Sequence, residues 1–188
     1  MAGSLRVAIG GLGAIGGHLA RALDAGVEGL TLSAVASRDP EKAARTLAGF
    51  RAPPAMVPLE ALAEHAEVVV EAAPAAVFEA IALPAIARGR IFVPSSVGAL
   101  LPRMHLVERA RETGARIIVP TGALLGLDAV RAAGEGDVES VTIETRKPPA
   151  GLEGAPYLVE HGITLTGLAA PRRVFQGNAF DAARGFPA

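Results

Sequence analysis

The sequence predicts an α/β protein with a doubly wound parallel sheet, followed by an incomplete α+β second domain. Over residues 1–120, strand-like apolar runs alternate with helical patterns six times, and the connections between them are short. The unbroken run Val68–Val70 is typical of a strand that is buried on both faces of a parallel sheet. After Pro120 the pattern changes, and residues 138–146 alternate as a half-exposed strand does. We therefore expect one domain over residues 1–120 and a partial one over 121–188.

A glycine-rich segment connects the first predicted strand, Leu5–Ile9, to the first predicted helix, which ends near Ala25. Gly11, Gly13 and Gly16 have the spacing G-x-G-x-x-G, which between a strand and a helix is the fingerprint of a Rossmann dinucleotide site. The glycines allow a tight turn, the approach of a pyrophosphate and close helix–strand packing, and the helix N-terminus presents N–H groups to the phosphates. A tight turn that binds no ligand is the competing interpretation. The expected cofactor contacts are Gly11, Gly13, Ala14, Ile15 and Gly16.

The end of the second predicted strand, Leu30–Ala36, bears on which dinucleotide binds. An NAD site usually carries an acidic residue here, whereas an NADP site offers an arginine to the 2′-phosphate. The sequence continues Ser37-Arg38-Asp39-Pro40, so Ser37 and Arg38 are the expected contacts at the adenosine end. Asp39 is better explained as the N-cap of a helix that begins with Pro40. NAD and NADP therefore both remain open as the cofactor.

The remaining pattern of the first domain predicts four more strands and the helices between them. The strands are expected over 55–57, 67–71, 90–93 and 116–119, and the helices over 40–49, 59–65, 75–88 and 103–113. Small residues after one of these strands, Ala73 and Pro74, are expected to line the ligand crevice, and a turn with exposed hydroxyls is expected over 94–98. Glu71 is expected to accept structural hydrogen bonds rather than to react.

The second domain offers few residues for chemistry. Its pattern predicts a helix over 127–133, a half-exposed strand over 138–146, short extended segments over 157–160, 163–165 and 173–176, and a short helix over 178–184. Arg146 and Lys147 are candidates for binding a substrate carboxylate, and a solvated basic pair is the alternative. Three of the four histidines, His18, His65 and His105, fall on predicted helices of the first domain. His161 is a candidate base, with a non-catalytic role as the favoured alternative.

Composition excludes several classes of function. The formal net charge is −1, so nothing suggests a nucleic acid or an anionic membrane surface as a partner. The chain has no cysteine, so we expect neither a disulfide framework nor thiolate chemistry, and no metal site. No apolar run approaches the length of a membrane span, and the first strand begins too early to leave room for a signal peptide. We expect a cytoplasmic protein that acts on a small molecule.

Several stretches resemble the L-aspartate dehydrogenases, the iminoaspartate-forming enzymes of NAD biosynthesis. The more specific ones are Pro120–Ala129 and Thr145–Pro149, and the others lie at 11–16, 71–74, 96–100, 154–157 and 175–179. The resemblance implies a Rossmann domain followed by an α/β domain that covers the active site and mediates dimerisation. It implies the oxidation of L-aspartate to iminoaspartate with NAD or NADP by a homodimer. It also implies that Ala123 contacts the cofactor and that Ser96 and Gly98 face the nicotinamide.

The sequence departs from the family pattern at its C-terminus. Family members continue past Phe186-Pro187 with an Asn-rich stretch that contacts the cofactor and with a catalytic histidine, whereas this sequence stops at Ala188. We therefore expect an N-terminal fragment or truncated product that binds NAD(P) and turns over L-aspartate poorly or not at all, and we assign no catalytic residue within it. Two alternatives stay open: a related Rossmann oxidoreductase with another small substrate, and a non-catalytic NAD(P)-binding subunit or sensor.

Overall fold

The computed structural model describes residues 3–122 and 125–187 of the chain. These residues form two compact units, one that ends at Pro120 and one over Thr121–Pro187. The strands of the first unit are β1 (Leu5–Gly10), β2 (Leu30–Ala36), β3 (Ala55–Met56), β4 (Val68–Glu71), β5 (Ile91–Pro94) and β6 (Arg116–Ile117). They pair in parallel in the order β3-β2-β1-β4-β5-β6. This is the doubly wound order of a Rossmann sheet, which confirms the predicted fold class.

Helices follow each of the first five strands. They are α1 (Ala14–Ala25), α2 (Pro40–Leu47), α3 (Leu62–His65), α4 (Phe78–Ala87), α5 (Val97–Leu100) and α6 (His105–Thr113). Short 3-10 turns precede α3, α4 and α6, so these helices begin later than their apolar patterns predict. The turn with exposed hydroxyls expected over 94–98 is partly wrong, because α5 begins at Val97 and Ser96 is buried. One helical turn places Ala99 and Leu100 in the core, where both are buried.

The register of the sheet brings the carboxyl ends of four strands level with one another. Gly10, the last residue of β1, lies opposite Ala36 of β2 and Glu71 of β4. Glu71 in turn lies opposite Pro94, the last residue of β5. Since each loop that follows starts at this edge, the loops after β1, β2, β4 and β5 lie side by side.

Alternate residues of the strands pack into two apolar layers, one on each face of the sheet. Ala8, Val69 and Phe92 join the layer that is covered by α3, α4 and α6, where Phe92 meets Phe78 edge to face at 5.6 Å between ring centroids. Ile9 and Val70 belong to the opposite layer, which is covered by α1 and α2. Burial on both faces explains why the strand sequences are almost continuously apolar.

The second unit consists of short helices joined by irregular segments. The helices are α7 (Leu127–Ala133), α8 (Pro156–Glu160) and α9 (Ala179–Gly185), and a 3-10 turn covers Pro149–Gly151. Half-buried Tyr157 stacks on His161 with 4.0 Å between ring centroids and contacts Phe175 and Phe186. The bounds of α7 and α9 confirm, to within a residue, the helices predicted over 127–133 and 178–184.

The strands predicted for the second unit are wrong. Residues 138–146 have no regular structure, and they are exposed throughout, with Val141 and Ile143 at 70% and 73% exposure. A strand needs a hydrogen-bonded neighbour, and no strand is found among the described residues of 121–187. Residues 157–160, predicted as extended, are helical because Pro156 sets the φ angle of the first helical position. The segments 163–165 and 173–176 are likewise without strand structure.

Candidate dinucleotide-binding site

The carboxyl edge of the sheet has a topological switch point between β1 and β4, where doubly wound sheets form their ligand crevice. The chain leaves β1 towards β2 and β3 on one side and later returns to β4, β5 and β6 on the other. The two halves of the sheet therefore extend in opposite directions from this point, and such a switch point is where doubly wound sheets bind their ligands. The loops that border it are 11–13 after β1, 37–39 after β2, 72–74 after β4 and 95–96 after β5.

Glycine is present at the three positions of the G-x-G-x-x-G segment for different structural reasons. A Cβ atom at Gly11, whose φ is +101°, would lie 2.4 Å from the carbonyl oxygen of Ala72. One at Gly16 would lie 1.9 Å from the carbonyl oxygen of Gly11. By contrast, no atom of the described residues comes within 4 Å of a Cβ built on Gly13. Gly11 and Gly16 are thus required by the protein's own packing, and Gly13 leaves open space.

That open space lies at the N-terminus of α1. Gly13 is the N-cap residue and has no side chain that could cap the helix, and Ala14 and Ile15 in the first turn are exposed. The first N–H groups of a helix have no partner within the helix, and they carry the positive end of its dipole. A pyrophosphate fits these donors, because the missing Cβ of Gly13 leaves room for it.

The loop after β2 contains a helix cap and an exposed arginine. Asp39 Oδ1 accepts a hydrogen bond of 2.9 Å from the N–H of Lys42, which confirms Asp39 as the N-cap of α2. The Ser37 hydroxyl is 3.2 Å from the carbonyl oxygen of Asp39 and 3.3 Å from its N–H, so it turns towards its own loop. Arg38 is exposed beside them. Of the predicted adenosine contacts, Arg38 is thus the one with an outward side chain.

The loops after β4 and β5 are joined by a buried carboxylate. Glu71 has 0% exposure. Its Oε1 accepts from the N–H of Ala73 at 3.0 Å, and its Oε2 accepts from the N–H of Ser96 at 2.9 Å. The Ser96 hydroxyl is 3.1 Å from Oε1 and 3.3 Å from the carbonyl oxygen of Ala73. The prediction of a hydrogen-bond acceptor is confirmed. Its partner Ser96, 25 residues along the chain, was not foreseen.

The crevice side of these two loops contains the other predicted contacts. Pro74 and Gly98 are exposed, Ala73 is half-buried and Ser96 is buried. The backbone links this side to the glycine loop, since the N–H of Ala72 donates to the carbonyl oxygen of Gly10 at 2.8 Å. The structure therefore brings Gly11, Gly13, Ala73, Pro74 and Ser96 to one edge of the sheet.

The candidate residues of the second unit are described by their contacts within that unit. Arg146 forms an exposed ion pair with Glu144, with 2.8 Å between Nε and Oε1, and Lys147 is exposed. His161 Nδ1–H donates a hydrogen bond of 2.9 Å to the carbonyl oxygen of Tyr157. Ala123, expected to contact the cofactor, lies outside the described residues. We do not assign any of these residues a place beside the glycine loop.

The histidines of the first unit lie on helices, as predicted. His18 on α1 and His105 on α6 are exposed, and His65 on α3 is half-buried. Over residues 3–122 and 125–187 there is no cluster of three or more metal-ligating side chains. None of the described helices has the length and apolarity to cross a membrane.

Comparison with known proteins identifies the family. Residues 11–120 match the family described as homoserine dehydrogenase, NAD binding domain, and residues 128–188 match aspartate dehydrogenase, C-terminal. L-aspartate dehydrogenase of Bradyrhizobium diazoefficiens is 54% identical over 98% of this chain, and L-aspartate dehydrogenase 3 of Bordetella bronchiseptica is 49% identical over 98%. The chain belongs to the L-aspartate dehydrogenase family. It covers 65% and 68% of the lengths of these two relatives.

A solved structure supports the same fold and cofactor class. GenD2 from gentamicin A biosynthesis, solved in complex with NAD, is 31% identical and superposes with a TM-score of 0.54. The match covers 70% of this chain and 38% of that one. Together with the NAD-binding domain match, it confirms that the first unit of this L-aspartate dehydrogenase relative is an NAD- or NADP-binding domain.

Proposed function

We propose that the protein takes part in the NAD(P)-dependent oxidative deamination of L-aspartate, through iminoaspartate. The observation that carries the proposal is the combination, in one chain, of an NAD-binding domain over residues 11–120 and an aspartate dehydrogenase C-terminal match over residues 128–188. The first supplies a dinucleotide site, and the second ties the chemistry to a dicarboxylic amino acid. We accordingly assign residues 1–120 to the dinucleotide and residues 121–188 to part of a substrate and dimerisation domain.

The residues of the carboxyl edge bind and orient the dinucleotide in this proposal. The α1 N-terminus and the space at Gly13 receive the pyrophosphate, with Gly11, Ala14, Ile15 and Gly16 forming the loop around it. Ser37 and Arg38 contact the adenosine end. The residues on the nicotinamide side are Ala73, Pro74, Ser96 and Gly98, and the family resemblance adds Ala123 as a cofactor contact.

The oxidation requires hydride transfer from the aspartate α-carbon and loss of a proton from its amine. Bound NAD(P)+ supplies the hydride acceptor. The loops after β4 and β5 hold its position, and a fixed distance between donor carbon and acceptor accounts for much of the rate in such reactions. Arg146 and Lys147 are our candidates for binding a substrate carboxylate. We assign no residue of this chain to the proton transfer.

We also propose an oligomeric state, a cellular location and a metabolic role for the protein. The family resemblance favours a homodimer in the cytoplasm with a role in NAD biosynthesis. Sedimentation of the purified protein at twice the chain mass tests the dimer. Rescue of a strain that needs an external pyridine source tests the biosynthetic role, and a monomer or a failure of rescue would remove that part of the proposal.

The reaction itself is tested with the protein expressed from the complete reading frame that encodes these residues. L-aspartate is supplied with NAD+ or NADP+, and reduced cofactor and ammonia are measured together. We expect both products in equal amounts from L-aspartate, and none from D-aspartate, L-glutamate or L-homoserine. The 188-residue chain is assayed in parallel for NAD(P) binding, and we expect it to bind.

The two alternatives give different results in the same assay. Turnover of another small substrate, without turnover of L-aspartate, would indicate a related Rossmann oxidoreductase. Binding of the dinucleotide without turnover of any substrate would indicate a non-catalytic subunit or sensor. Absence of dinucleotide binding would overturn all three.

A further inference from the structure

Among residues 3–122, Glu71 is the one carboxylate in the buried core, and its environment is made of hydrogen-bond donors. The N–H groups of Ala73 and Ser96 and the Ser96 hydroxyl all point at its two oxygens, at 2.9–3.1 Å. No ion pair of residues 3–122 involves it. A buried acid without a cationic partner is costly to retain, so this arrangement calls for a reason beyond filling space.

The position of Glu71 in the sheet indicates that reason. It is the last residue of β4, and the two loops that it joins follow β4 and β5, on the far side of the switch point from β2. In a doubly wound sheet the two halves each bind one mononucleotide of the dinucleotide. The β1–β2 half carries the adenosine contacts, so the loops after β4 and β5 face the nicotinamide half.

We propose that Glu71 is a positioning residue for the nicotinamide half of the bound dinucleotide, acting by holding the backbone of Ala73 and Ser96 at a fixed separation. The inference rests on the proposed dinucleotide site. Glu71 lies beneath the loops with no exposed atom surface, so it acts through them and not by touching the ligand.

The chemistry of the side chain explains why a carboxylate is needed. A carboxylate offers two oxygens that both accept, whereas the amide of glutamine offers one acceptor and one donor group. In Glu71→Gln, one orientation of the amide directs its NH₂ at the N–H of Ser96, and the other directs it at the N–H of Ala73. Either way two donors face each other, so one of the two loops loses its hydrogen bond to residue 71. The size of the side chain is nearly unchanged.

The test compares two ligands on the wild-type protein and on Glu71→Gln by calorimetric titration. One ligand is NADH or NADPH, whichever binds more tightly, and the other is the matching ADP-ribose, which lacks the nicotinamide. We expect Glu71→Gln to raise the Kd of the reduced dinucleotide about tenfold, since a hydrogen bond to a charged group is lost. We expect the Kd of the ADP-ribose to change less than about twofold. Thermal unfolding is recorded for each protein.

Glu67→Gln is the matched control. Glu67 precedes the same strand at its amino end, and it pairs with Arg6 far from the crevice. We expect this variant to bind both ligands as the wild type does.

Ser96→Ala provides a second, milder variant that keeps the N–H donor and removes the hydroxyl. We expect a smaller loss confined to the reduced dinucleotide, and a double variant no weaker than Glu71→Gln alone, because both changes break the same link. Should Glu71→Gln fail to fold, Ser96→Ala decides alone.

Three results overturn the inference: equal weakening of both ligands, no weakening of either, or additive losses in the double variant. If the wild type binds neither ligand, the proposed function fails instead, so the two failures are distinguishable.

Discussion

The two units of the chain differ in how far they bury their own apolar residues. In the first, both faces of the sheet are covered, and residues such as Ile9, Val69 and Phe92 have no exposed surface. In the second, Leu158 and Leu165 are buried, whereas Val141 and Ile143 in the irregular segment are largely exposed. A segment with an apolar pattern thus folds as that pattern predicts only where a partner surface is present. We therefore expect truncation of an apolar side chain in the sheet to lower the free energy of unfolding more than truncation in the irregular segment of the second unit.

The largest effect is expected from Phe92→Ala in β5. Phe92 is fully buried and packs edge to face on Phe78, so truncation should lower the free energy of unfolding by about 3–5 kcal/mol. The matched change in the second unit, Ile143→Ala, should alter it by less than about 0.5 kcal/mol, because the side chain is exposed. Urea denaturation followed by circular dichroism measures both. A loss of similar size in the two variants would remove the contrast between the units.

A second pair of variants separates packing from binding within the glycine loop. Gly16→Ala places a Cβ against the carbonyl oxygen of Gly11 and should cost about 1–3 kcal/mol of stability. Gly13→Ala meets no described atom within 4 Å, so it should fold normally and weaken NAD(P)H binding by about tenfold or more, since the Cβ occupies the pyrophosphate space. Thermal unfolding and calorimetric titration measure the two effects. Normal binding by Gly13→Ala would mean that the pyrophosphate lies elsewhere.

The third prediction concerns the choice between NAD and NADP. If exposed Arg38 holds a 2′-phosphate, Arg38→Ala should weaken NADPH binding about tenfold and leave NADH binding nearly unchanged, because a charge-assisted contact is lost for one ligand. Fluorescence titration with both cofactors measures the ratio. Equal losses for the two would instead assign Arg38 to stacking on adenine.

The smallest effect is expected from an ion pair at the opposite edge of the sheet. The side-chain and backbone hydrogen bonds from Arg6 lower the pKa of Glu67 to about 2. The unfolded chain, with the ordinary value of 4.5, takes up the proton first as the pH falls. The pair's contribution is therefore complete above about pH 4.5 and is lost between there and about pH 2.

Glu67→Gln tests this contribution by removing the titrating group. The unfolding midpoint is measured from neutral pH to about pH 2, and the variant should lose less of it over the acidic range than the wild type does. The difference should be modest, because both side chains are partly exposed and such pairs are screened by solvent. Identical acid profiles would show that the pair does not contribute.

Most of the first unit could be predicted because its signals are local. The unbroken apolar strands, the glycine spacing at 11–16 and the Asp39-Pro40 cap each follow from a few neighbouring residues. The link between Glu71 and Ser96 could not, since it depends on the pairing of β4 with β5 and on 25 residues of separation. A strand-end acid followed by small residues signals a buried acceptor, but not its partner.

The second unit shows why an alternating pattern is weaker evidence. Residues 138–146 have the period of a strand, but that period specifies only which side chains share a face. Whether a strand forms depends on a neighbour to pair with, which the pattern does not encode. Pro156, a local signal, would have predicted the helix at 156–160 correctly.

The central claim is that the ligand site lies at the carboxyl edge of the first unit. Hydrogen–deuterium exchange of the wild-type chain, with and without saturating NADH or NADPH, tests it most directly. The account predicts slower exchange with ligand at residues 11–16, 72–74 and 95–98, and unchanged exchange over 138–146. Protection confined to other segments, or none at saturation, would contradict it.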